Sequence, residues 1–576
     1  MKRRTQFLPF ALLLAACGAA PLAPKFAPPA TPTEAQVAAN IVAAEARSER
    51  PAIVALRADN GNLCAWDLEA RLLWETAVRA KSAPLVVGDV VVLQEADAIT
   101  VRDLATGKLH VELERDARLV GADAVGDAVA LSLAHGQGSE GLTGEVVFLA
   151  GSDVRWAKSL PQAVGVPALV KHQVLVPWAT QRLSVLSAAD GSELSRWSFR
   201  NLMVGQALVD RGHVYVGQHG WLRVAGDLPD RQQGPVALLS PQKRALPGQP
   251  GMLRDGYAPV AAPDHASHKI RLDWRPSPDA STAVDSDAAL FRYYSMAFGL
   301  VAQRDEVGWA RTFDHDLVGG SVLGGGALLV DDQGTLRFVD AHGVTRLKRE
   351  LGKKLRVATL RAGGFAPPAN APALEQPAAS IYDQLLAAAR SEDERLHPGR
   401  AFAIQQLGKL SDPGLTRELI ALCAQKAGKP QPAQLAACDE LGKRDGNAND
   451  ILEALRQKAS FLVGTSEPPV GALARAAGRM QLKQAAPLLL SHAEDPHTAV
   501  ADLAPLFQAL EALEVQAAIP QLERFVRLHH AEPAGSDLTP ALSAAVSVLA
   551  NLRAKAARGT LEQVASDALS LEPVRL

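Results

Sequence analysis

The chain has 576 residues, more than one hydrophobic core accommodates, so its length predicts at least two domains. Its 60 basic and 62 acidic residues nearly cancel, and no block of like charge stands out along the sequence. This balance argues against nucleic acid or another polyanion as the main partner.

The first residues, MKRRTQFLPFALLLAACG, have the pattern of an export signal. A basic start precedes the apolar run 7–16, which is too short to cross a bilayer as a helix. The tetrapeptide LAAC, which ends at Cys17, resembles the lipobox of bacterial lipoproteins. The resemblance implies a signal peptide over 1–17 and acylation of Cys17 by palmitate-type chains. An ordinary cleaved signal with an incidental cysteine is the alternative.

Residues 18–50 are expected to connect this anchor to the folded body. The stretch 18–33, GAAPLAPKFAPPATPT, predicts an extended Ala/Pro-rich spacer, and the following EAQVAANIVAAEARS predicts a short helix. Under the enterobacterial sorting rule, an aspartate directly after the lipid-bearing cysteine retains a lipoprotein in the inner membrane. Gly18 occupies that position, so the rule implies the outer membrane. We expect a periplasm-facing protein, with the cell surface as the alternative. Beyond the signal, no apolar stretch is long enough to span a membrane.

The region 51–362 consists of short β-rich runs that end at Gly and Asp turns and that repeat. Four of its units begin at Pro84, Ala122, Pro167 and Gln206, which are 38, 45 and 39 residues apart. Units of four strands and about forty residues are typical of propeller blades. We therefore predict an all-β propeller of seven or eight blades, whose number the Pro/Asp-rich stretch 225–290 leaves open.

The first unit of this region, 52–78, has no innermost strand of its own. The segment KKLRVATLRA (353–362) follows the last unit and has the apolar pattern of such a strand. We predict that it completes the first sheet and closes the ring, which removes the exposed sheet edges of an open array.

The turns of these units carry a family signature. Asp-x-x-x-Gly follows a strand in DLATG (103–107), and a tryptophan stands near the end of a strand in DGSELSRWSF and ARLLWETAV. The pattern resembles the PQQ-type propeller repeat, which builds quinoprotein alcohol dehydrogenases and the BamB-like propeller lipoprotein of the outer-membrane β-barrel assembly machinery. The recurrence of tryptophan at equivalent places of the blades indicates a packing role for Trp66, Trp74, Trp156, Trp197 and Trp309.

A second Ala/Pro-rich stretch, 363–380, marks a domain boundary, and beyond it the apolar period becomes helical. In 381–576 a motif of helix, tight turn and amphipathic helix recurs, with equivalent positions at Gly408, Gly442, Gly478, Glu511 and Asn551. This motif resembles HEAT-type α-solenoids with about five repeats. Tetratricopeptide repeats share the period, but their Trp and Tyr signature positions are absent.

Cysteine is scarce in the chain. Cys423 and Cys438 lie nearly symmetrically about the turn GKPQP, at facing positions of a predicted helical hairpin. In the oxidising compartment that export implies, they are candidates for a disulfide, and two reduced buried cysteines are the alternative. Cys64 lies in an alternating apolar stretch and is expected in the core.

The sequence offers little for catalysis. The quinoprotein enzymes that the propeller resembles typically use an adjacent Cys-Cys pair, Ca²⁺ and an Asp base, and the chain has no Cys-Cys dipeptide. We predict no catalytic residues, no metal site and no cofactor. Phe291, Tyr293 and Tyr294 fit the repeat poorly and are candidates for an exposed recognition patch, with a core strand as the alternative.

The sequence thus predicts a multi-domain protein, an all-β PQQ-like propeller followed by an all-α HEAT-like solenoid. The expected function is that of a lipid-anchored, non-catalytic scaffold whose partners are envelope proteins. A PQQ-dependent oxidoreductase and a glycan- or peptidoglycan-binding module are the alternatives.

Overall fold

The computed structural model describes residues 41, 52–136, 143–199, 204–210, 213–218, 221–224, 271–275, 288–301, 306–323, 326–361, 365, 371–424, 431–457, 468–533, 536–552, 555–570 and 572. Cys17, the 18–33 spacer and the predicted short helix, apart from Ile41, lie outside these residues. Most of the degenerate stretch 225–290 also lies outside them. Ile41 itself is buried among the apolar residues of the propeller's fourth and fifth sheets.

The N-terminal half folds into antiparallel sheets whose strands follow one another in chain order. Sheets of blades 1 to 4 contain the following strands: β1 (Ala52–Arg57), β2 (Leu63–Trp66) and β3 (Leu72–Thr76); β4 (Leu85–Val87), β5 (Val90–Gln94), β6 (Ile99–Asp103) and β7 (Leu109–Leu113); β8 (Arg118–Val125), β9 (Ala128–His135), β10 (Thr143–Ala150) and β11 (Asp153–Leu160); β12 (Ala168–Val170), β13 (Gln173–Trp178), β14 (Arg182–Ser187) and β15 (Glu193–Ser198).

Blades 5 to 7 continue the same arrangement. Their strands are β16 (Val204–Asp210), β17 (His213–Gln218) and β18 (Trp221–Val224); β19 (Arg271–Arg275), β20 (Ala288–Tyr293), β21 (Met296–Val301) and β22 (Glu306–Thr312); β23 (Leu317–Leu323), β24 (Gly326–Asp331), β25 (Thr335–Val339) and β26 (Thr345–Glu350). The described residues therefore form seven sheets, six of four strands and one of three. The predicted propeller is confirmed, with seven blades in this part of the chain.

Closure of the ring follows the prediction. The last strand, β27 (Leu355–Arg361), pairs antiparallel with β1, so the sheet order of blade 1 is β27-β1-β2-β3. Thr359 lies opposite Val54 in this register. Because β27 supplies the innermost strand of blade 1, the two ends of the propeller sequence are joined by backbone hydrogen bonds.

Neighbouring blades are locked by tryptophans on their outer strands. The Trp74 indole N–H in blade 1 donates to the Leu104 carbonyl in blade 2 at 2.7 Å, and its ring lies over the turn at Gly107. Trp156 in blade 3 repeats this contact with the Ala188 carbonyl in blade 4, at 3.0 Å, and with Gly191. The glycine turn of one blade and the tryptophan of its neighbour thus form one blade-to-blade contact, and at Gly107 the turn has the Asp-x-x-x-Gly pattern.

The C-terminal part of the chain is helical. Its helices are α1 (Ile381–Ala389), α2 (His397–Gly408), α3 (Leu415–Cys423), α4 (Pro432–Gly442), α5 (Ala448–Arg456), α6 (Val470–Arg479), α7 (Ala486–Ala493), α8 (Val500–Ala512), α9 (Ile519–His529), α10 (Thr539–Asn551) and α11 (Arg558–Ser566). Ser380 caps α1, since its side chain accepts from the Asp383 N–H at 3.0 Å. Prolines occupy the first turns of α4, α9 and α10, where a missing N–H costs nothing.

Five helix pairs follow α1, and their order matches the predicted repeat. The first helices α2, α4, α6, α8 and α10 pack side by side in chain order. Gly408, Gly442 and Asn551 stand at the ends of α2, α4 and α10, as the repeat alignment requires. Each helix pair buries its apolar face on its neighbours, which is how a repeat array acquires a continuous core. No helix in the described ranges is long and apolar enough to cross a membrane.

The structure joins Cys423 and Cys438 in a disulfide, with their Cα atoms 4.9 Å apart. The bridge ties the end of α3 to the middle of α4 across a sequence separation of 15 residues. Cys64 is a buried free thiol in β2. Burial raises the pKa of Cys64 to about 12, so the thiol is inert as a nucleophile at neutral pH.

Reducing the Cys423–Cys438 bridge is expected to lower the free energy of unfolding of the helical region by about 3 kcal/mol, the loop-closure value for a loop of this size. Urea denaturation with and without dithiothreitol measures the difference. The double variant Cys423→Ser/Cys438→Ser should unfold at the lower urea concentration in both buffers. Equal stability of the oxidised and reduced wild type would contradict the prediction.

Candidate functional site

The most developed contact between the two modules is an aromatic junction, formed by Phe291, Met296 and Phe298 of blade 6 with Gly399 and Phe402 of α2. The Phe402 ring stacks on Phe291 at 4.6 Å between centroids and meets Phe298 edge-on at 5.1 Å. All three rings are essentially inaccessible to water. Stacked and edge-on arrangements are the favourable geometries for aromatic pairs. The junction therefore forms part of one apolar core shared by blade 6 and the helices.

Close packing brings the α2 backbone onto blade 6. A Cβ at Gly399 would lie 2.6 Å from the Met296 sulfur, so this position of the helix has no room for a side chain. Helix α1 covers the outer strand β22 in the same region. There the Ala310 N–H of β22 donates to the Gln384 side-chain oxygen at 2.9 Å, and the Gln384 amide donates to the Ala378 carbonyl at 2.9 Å. Gln384 thus satisfies an edge N–H that the helix would otherwise bury unpaired.

A polar contact lies beside this aromatic junction. Arg395 donates to the Asp316 carboxylate at 2.8 Å, which links the turn before α2 to the loop before β23. The same guanidinium lies 4.8 Å from the centroid of the Tyr294 ring. Burial raises the pKa of Tyr293 to about 12, so its hydroxyl stays neutral at every physiological pH.

The stretch 371–380 docks on blade 7 instead of hanging free. The Thr345 N–H of β26 donates to the Glu375 carbonyl, and the Leu374 N–H donates to the Thr345 carbonyl, each at 2.9 Å. These bonds add a short antiparallel bridge to the outer edge of the blade. Before this stretch in the chain, the Phe365 ring lies with its centroid 6.0 Å from that of the Phe338 ring of β25. The described residues between β27 and α1 thus form a packed connection.

The Glu375 carboxylate is the polar centre of this docking. It accepts from Lys348 at 3.2 Å, from the Thr345 hydroxyl at 3.1 Å and from Arg311 at 3.3 Å. Arg311 belongs to blade 6 and also donates to the Gly343 carbonyl of blade 7 at 3.0 Å. One carboxylate therefore ties the connection to two blades at once.

At pH 7, Glu375→Gln is expected to lower the free energy of unfolding by about 1–2 kcal/mol, because charge-assisted hydrogen bonds become neutral ones. Partial burial alone raises the pKa of Glu375. Hydrogen bonds from Lys348 and Thr345 and the positive charge of Arg337 outweigh burial, so the pKa lies below its ordinary value of 4.5.

The sign of the pH dependence follows from that lowered pKa. The stabilisation is complete above pH 4.5 and is lost as the pH falls through the folded-state pKa of Glu375. The melting temperatures of wild type and Glu375→Gln should therefore differ at neutral pH and converge on acidification. A gap that persists undiminished to pH 3 would contradict this assignment.

The predicted exposed recognition patch is wrong for Phe291 and Tyr293. Both side chains are buried, Phe291 in the aromatic junction and Tyr293 beside it. Tyr294 is half-buried and lies under Arg395. Phe291 and Tyr293 belong to the regular strand β20 of blade 6, and helical residues pack over them.

One trio of side chains in the described residues has the residue types of a catalytic relay but not its geometry. Ser570, His530 and Asp567 lie together near the C-terminus, but Ser570 Oγ and Asp567 both approach the same ring atom, His530 Nδ1, at 3.3 and 3.7 Å. A relay needs the hydroxyl and the carboxylate on opposite ring nitrogens, so this trio does not form one. No cluster of metal-ligating side chains occurs in the part of the chain that the structure describes.

Sequence reasoning missed Phe402, Gln384, Gly399 and Glu375. A signal was present in α2, HPGRAFAIQQLG, because its apolar run 401–404 extends round a full helical turn and does not lie on one face. Apolar residues on several sides of a helix indicate that several sides are covered, and eight residues of α2 are buried. Glu375 carries no comparable signal, because its cationic partners Arg311 and Lys348 come from blades 6 and 7.

No family model matches the chain, and no curated protein matches it. Among solved structures, BamB from Moraxella catarrhalis is 14% identical over 55% of this chain and 87% of its own, with a TM-score of 0.30. The Cps50 (Swd1) β-propeller domain of Myceliophteria thermophila is 11% identical over 51% of this chain and 96% of its own, with a TM-score of 0.32. The propeller assignment rests on the sheets of the chain itself, and these likenesses carry no argument about activity.

Proposed function

We propose that the protein is a lipid-anchored, non-catalytic scaffold that mediates protein–protein interactions in the bacterial envelope. The aromatic junction of blade 6 and α2 carries the proposal. It fixes two repeat modules in one orientation, and Glu375 reinforces the connection at blade 7. A rigid body with two wide surfaces at a constant distance is what a scaffold needs to hold partners in register.

The anchor and the location rest on the sequence alone. The tetrapeptide LAAC ending at Cys17 supports acylation, and Gly18 supports sorting to the outer membrane. The 18–33 spacer would let the rigid body work at a distance from the lipid surface. Envelope proteins are then the partners within reach.

Metabolic labelling with an alkyne analogue of palmitate tests the anchor. Wild type should take up the label and sediment with membranes, whereas Cys17→Ser should remain unlabelled and appear in the soluble periplasmic fraction. Unlabelled wild-type protein would overturn the lipid anchor.

Affinity purification from gently solubilised envelopes tests the scaffold. A chain cut at residue 365 is a poor control, because it would expose the apolar side chains of the junction, including Phe291 and Phe298. Phe402→Ala keeps both modules and loosens only their contact. Specific membrane proteins should co-purify with wild type and reciprocally recover it, and those that contact both modules should be lost with Phe402→Ala. If no membrane protein is recovered reciprocally, the scaffold proposal fails.

A further inference from the structure

The outer strands of the propeller carry a row of exposed apolar residues at one equivalent position. Leu72 on β3, Leu109 on β7 and Val154 on β11 are 47%, 45% and 43% exposed. Each lies just before the bulge of its strand, opposite Trp66, Arg102 and Leu149 respectively. Large apolar side chains exposed at the same place in three successive blades are a feature of the repeat itself and call for an explanation.

In blade 7 the equivalent position is paired with another segment of the chain. Thr345 of β26 lies just before the bulge, opposite Val339, and is therefore the counterpart of Leu72. The backbone N–H and C=O of Thr345 both point away from the blade and pair with Leu374 and Glu375. Thr345 is fully buried as a result. The same register turns the N–H and C=O of Leu72 toward the open edge of blade 1.

In the described part of the chain, β3 of blade 1 pairs only with β2, and its outer edge lies next to blade 7, which holds the docked connection. Arg349 of β26 donates to the Leu68 carbonyl at 2.6 Å and forms an ion pair with Glu69, both in the turn that leads into β3. Strand β3 also carries a second exposed leucine, Leu73, at 47%. Lysine and proline commonly protect open edges, and the five residues of β3, LLWET, contain neither. The bulge of β3 has its counterpart in β26, where the edge is paired all the same.

We propose that β3 of blade 1 accepts an extended, apolar segment of a partner protein as an additional antiparallel strand, paired through Leu72. The side chains favour an uncharged segment. Lys348, which binds Glu375 on blade 7, is three residues after Thr345, and its counterpart on β3 is Glu75. Glu75 is held within blade 1 by Arg57 and Asn62, at 2.6 and 2.7 Å. The partner therefore places an apolar residue where the connection has its glutamate.

This proposal deepens the scaffold function by naming one of its docking edges, and it rests on that function. Its test needs no membrane or envelope extract. If the edge of β3 binds no strand, the co-purification experiment still tests the scaffold proposal independently.

The probe is a fluorescent synthetic peptide of residues 370–379 that carries Glu375→Leu, measured by anisotropy on the intact chain. We expect binding in the high micromolar range, at least tenfold weaker for Leu72→Asp and unchanged for Leu435→Asp. Leu435 is a matched control because it is a leucine on α4 that is at least as exposed as Leu72. A peptide methylated on the Leu374 amide nitrogen, which removes the strand-pairing donor, should not bind.

Hydrogen exchange identifies the edge. Bound peptide should slow exchange of the β3 amides and leave those of β22 unchanged, since α1 already covers that strand. Equal affinity of Leu72→Asp and wild type, binding of the methylated peptide, or protection confined to β7 or β11 would each overturn the proposal.

Discussion

Phe402→Ala is expected to cost about 3–5 kcal/mol and to uncouple the propeller from the helical region. The truncation removes a fully buried ring that stacks on Phe291 and meets Phe298, and α2 cannot close the cavity. The residues around it belong to one core shared by both modules. Loss of the ring should therefore weaken the contact between the modules more than either module itself.

Two measurements separate uncoupling from simple destabilisation. Wild type should unfold in urea with the two modules coupled, whereas Phe402→Ala should show separate transitions and faster proteolysis within 371–380. Phe507→Ala is the matched control, because Phe507 is also a fully buried aromatic but packs against Phe525 inside the helical region. The control should lower helical stability and leave the connection protected. Identical proteolysis of both variants would contradict a coupling role for the junction.

The elements of the fold could be predicted because their signals are local or repetitive. The incomplete first unit and the apolar segment 353–362 pointed to the pairing of β1 with β27. Each had backbone N–H and C=O groups without a partner, and pairing satisfies both sets. The helix pairs followed from an apolar period that places one face of each helix on its neighbour. In both cases a short sequence pattern identifies the residues that interact.

The junction could not be predicted, for a physical reason. Phe291 and Phe402 are 111 positions apart, and their contact depends on how two finished modules meet. A sequence pattern shows that a side chain is apolar, and it does not show what covers that side chain. Phe291 and Tyr293 thus satisfied the criterion for an exposed patch, because nothing near them in the sequence revealed α2.

Gly107→Ala is expected to destabilise the propeller by about 2–5 kcal/mol through two separable effects. Gly107 has a φ of +70°, which costs an L-residue about 1–2 kcal/mol. Its Cβ would also lie 2.6 Å from the Trp74 ring, so the ring would have to move from its place against blade 2. Displacement of a packed side chain adds about 1–3 kcal/mol.

Gly126 separates the cost of the left-handed backbone from the cost of moving the ring. Gly126 has a φ of +58°, and a Cβ there would meet nothing within 4 Å. Gly126→Ala should therefore cost only the 1–2 kcal/mol of the left-handed backbone. In Gly107→Ala the displaced indole should also lose its hydrogen bond to Leu104, which fluorescence of the tryptophans would report as a shift in emission.

The difference between the two variants measures the contact that holds one blade to the next. If Gly107→Ala costs clearly more and alters the emission while Gly126→Ala does not, the Asp-x-x-x-Gly turn is selected for the tryptophan that lies on it. Equal costs would mean that the turn needs glycine for its backbone alone, and the ring would then be held by the Trp74–Leu104 hydrogen bond and its apolar neighbours. The same comparison applies to Gly191 and Trp156 two blades farther on, where the Cβ would lie 2.8 Å from the ring. A cost that recurs there would show that the pairing of a glycine turn with a tryptophan stabilises successive junctions between blades.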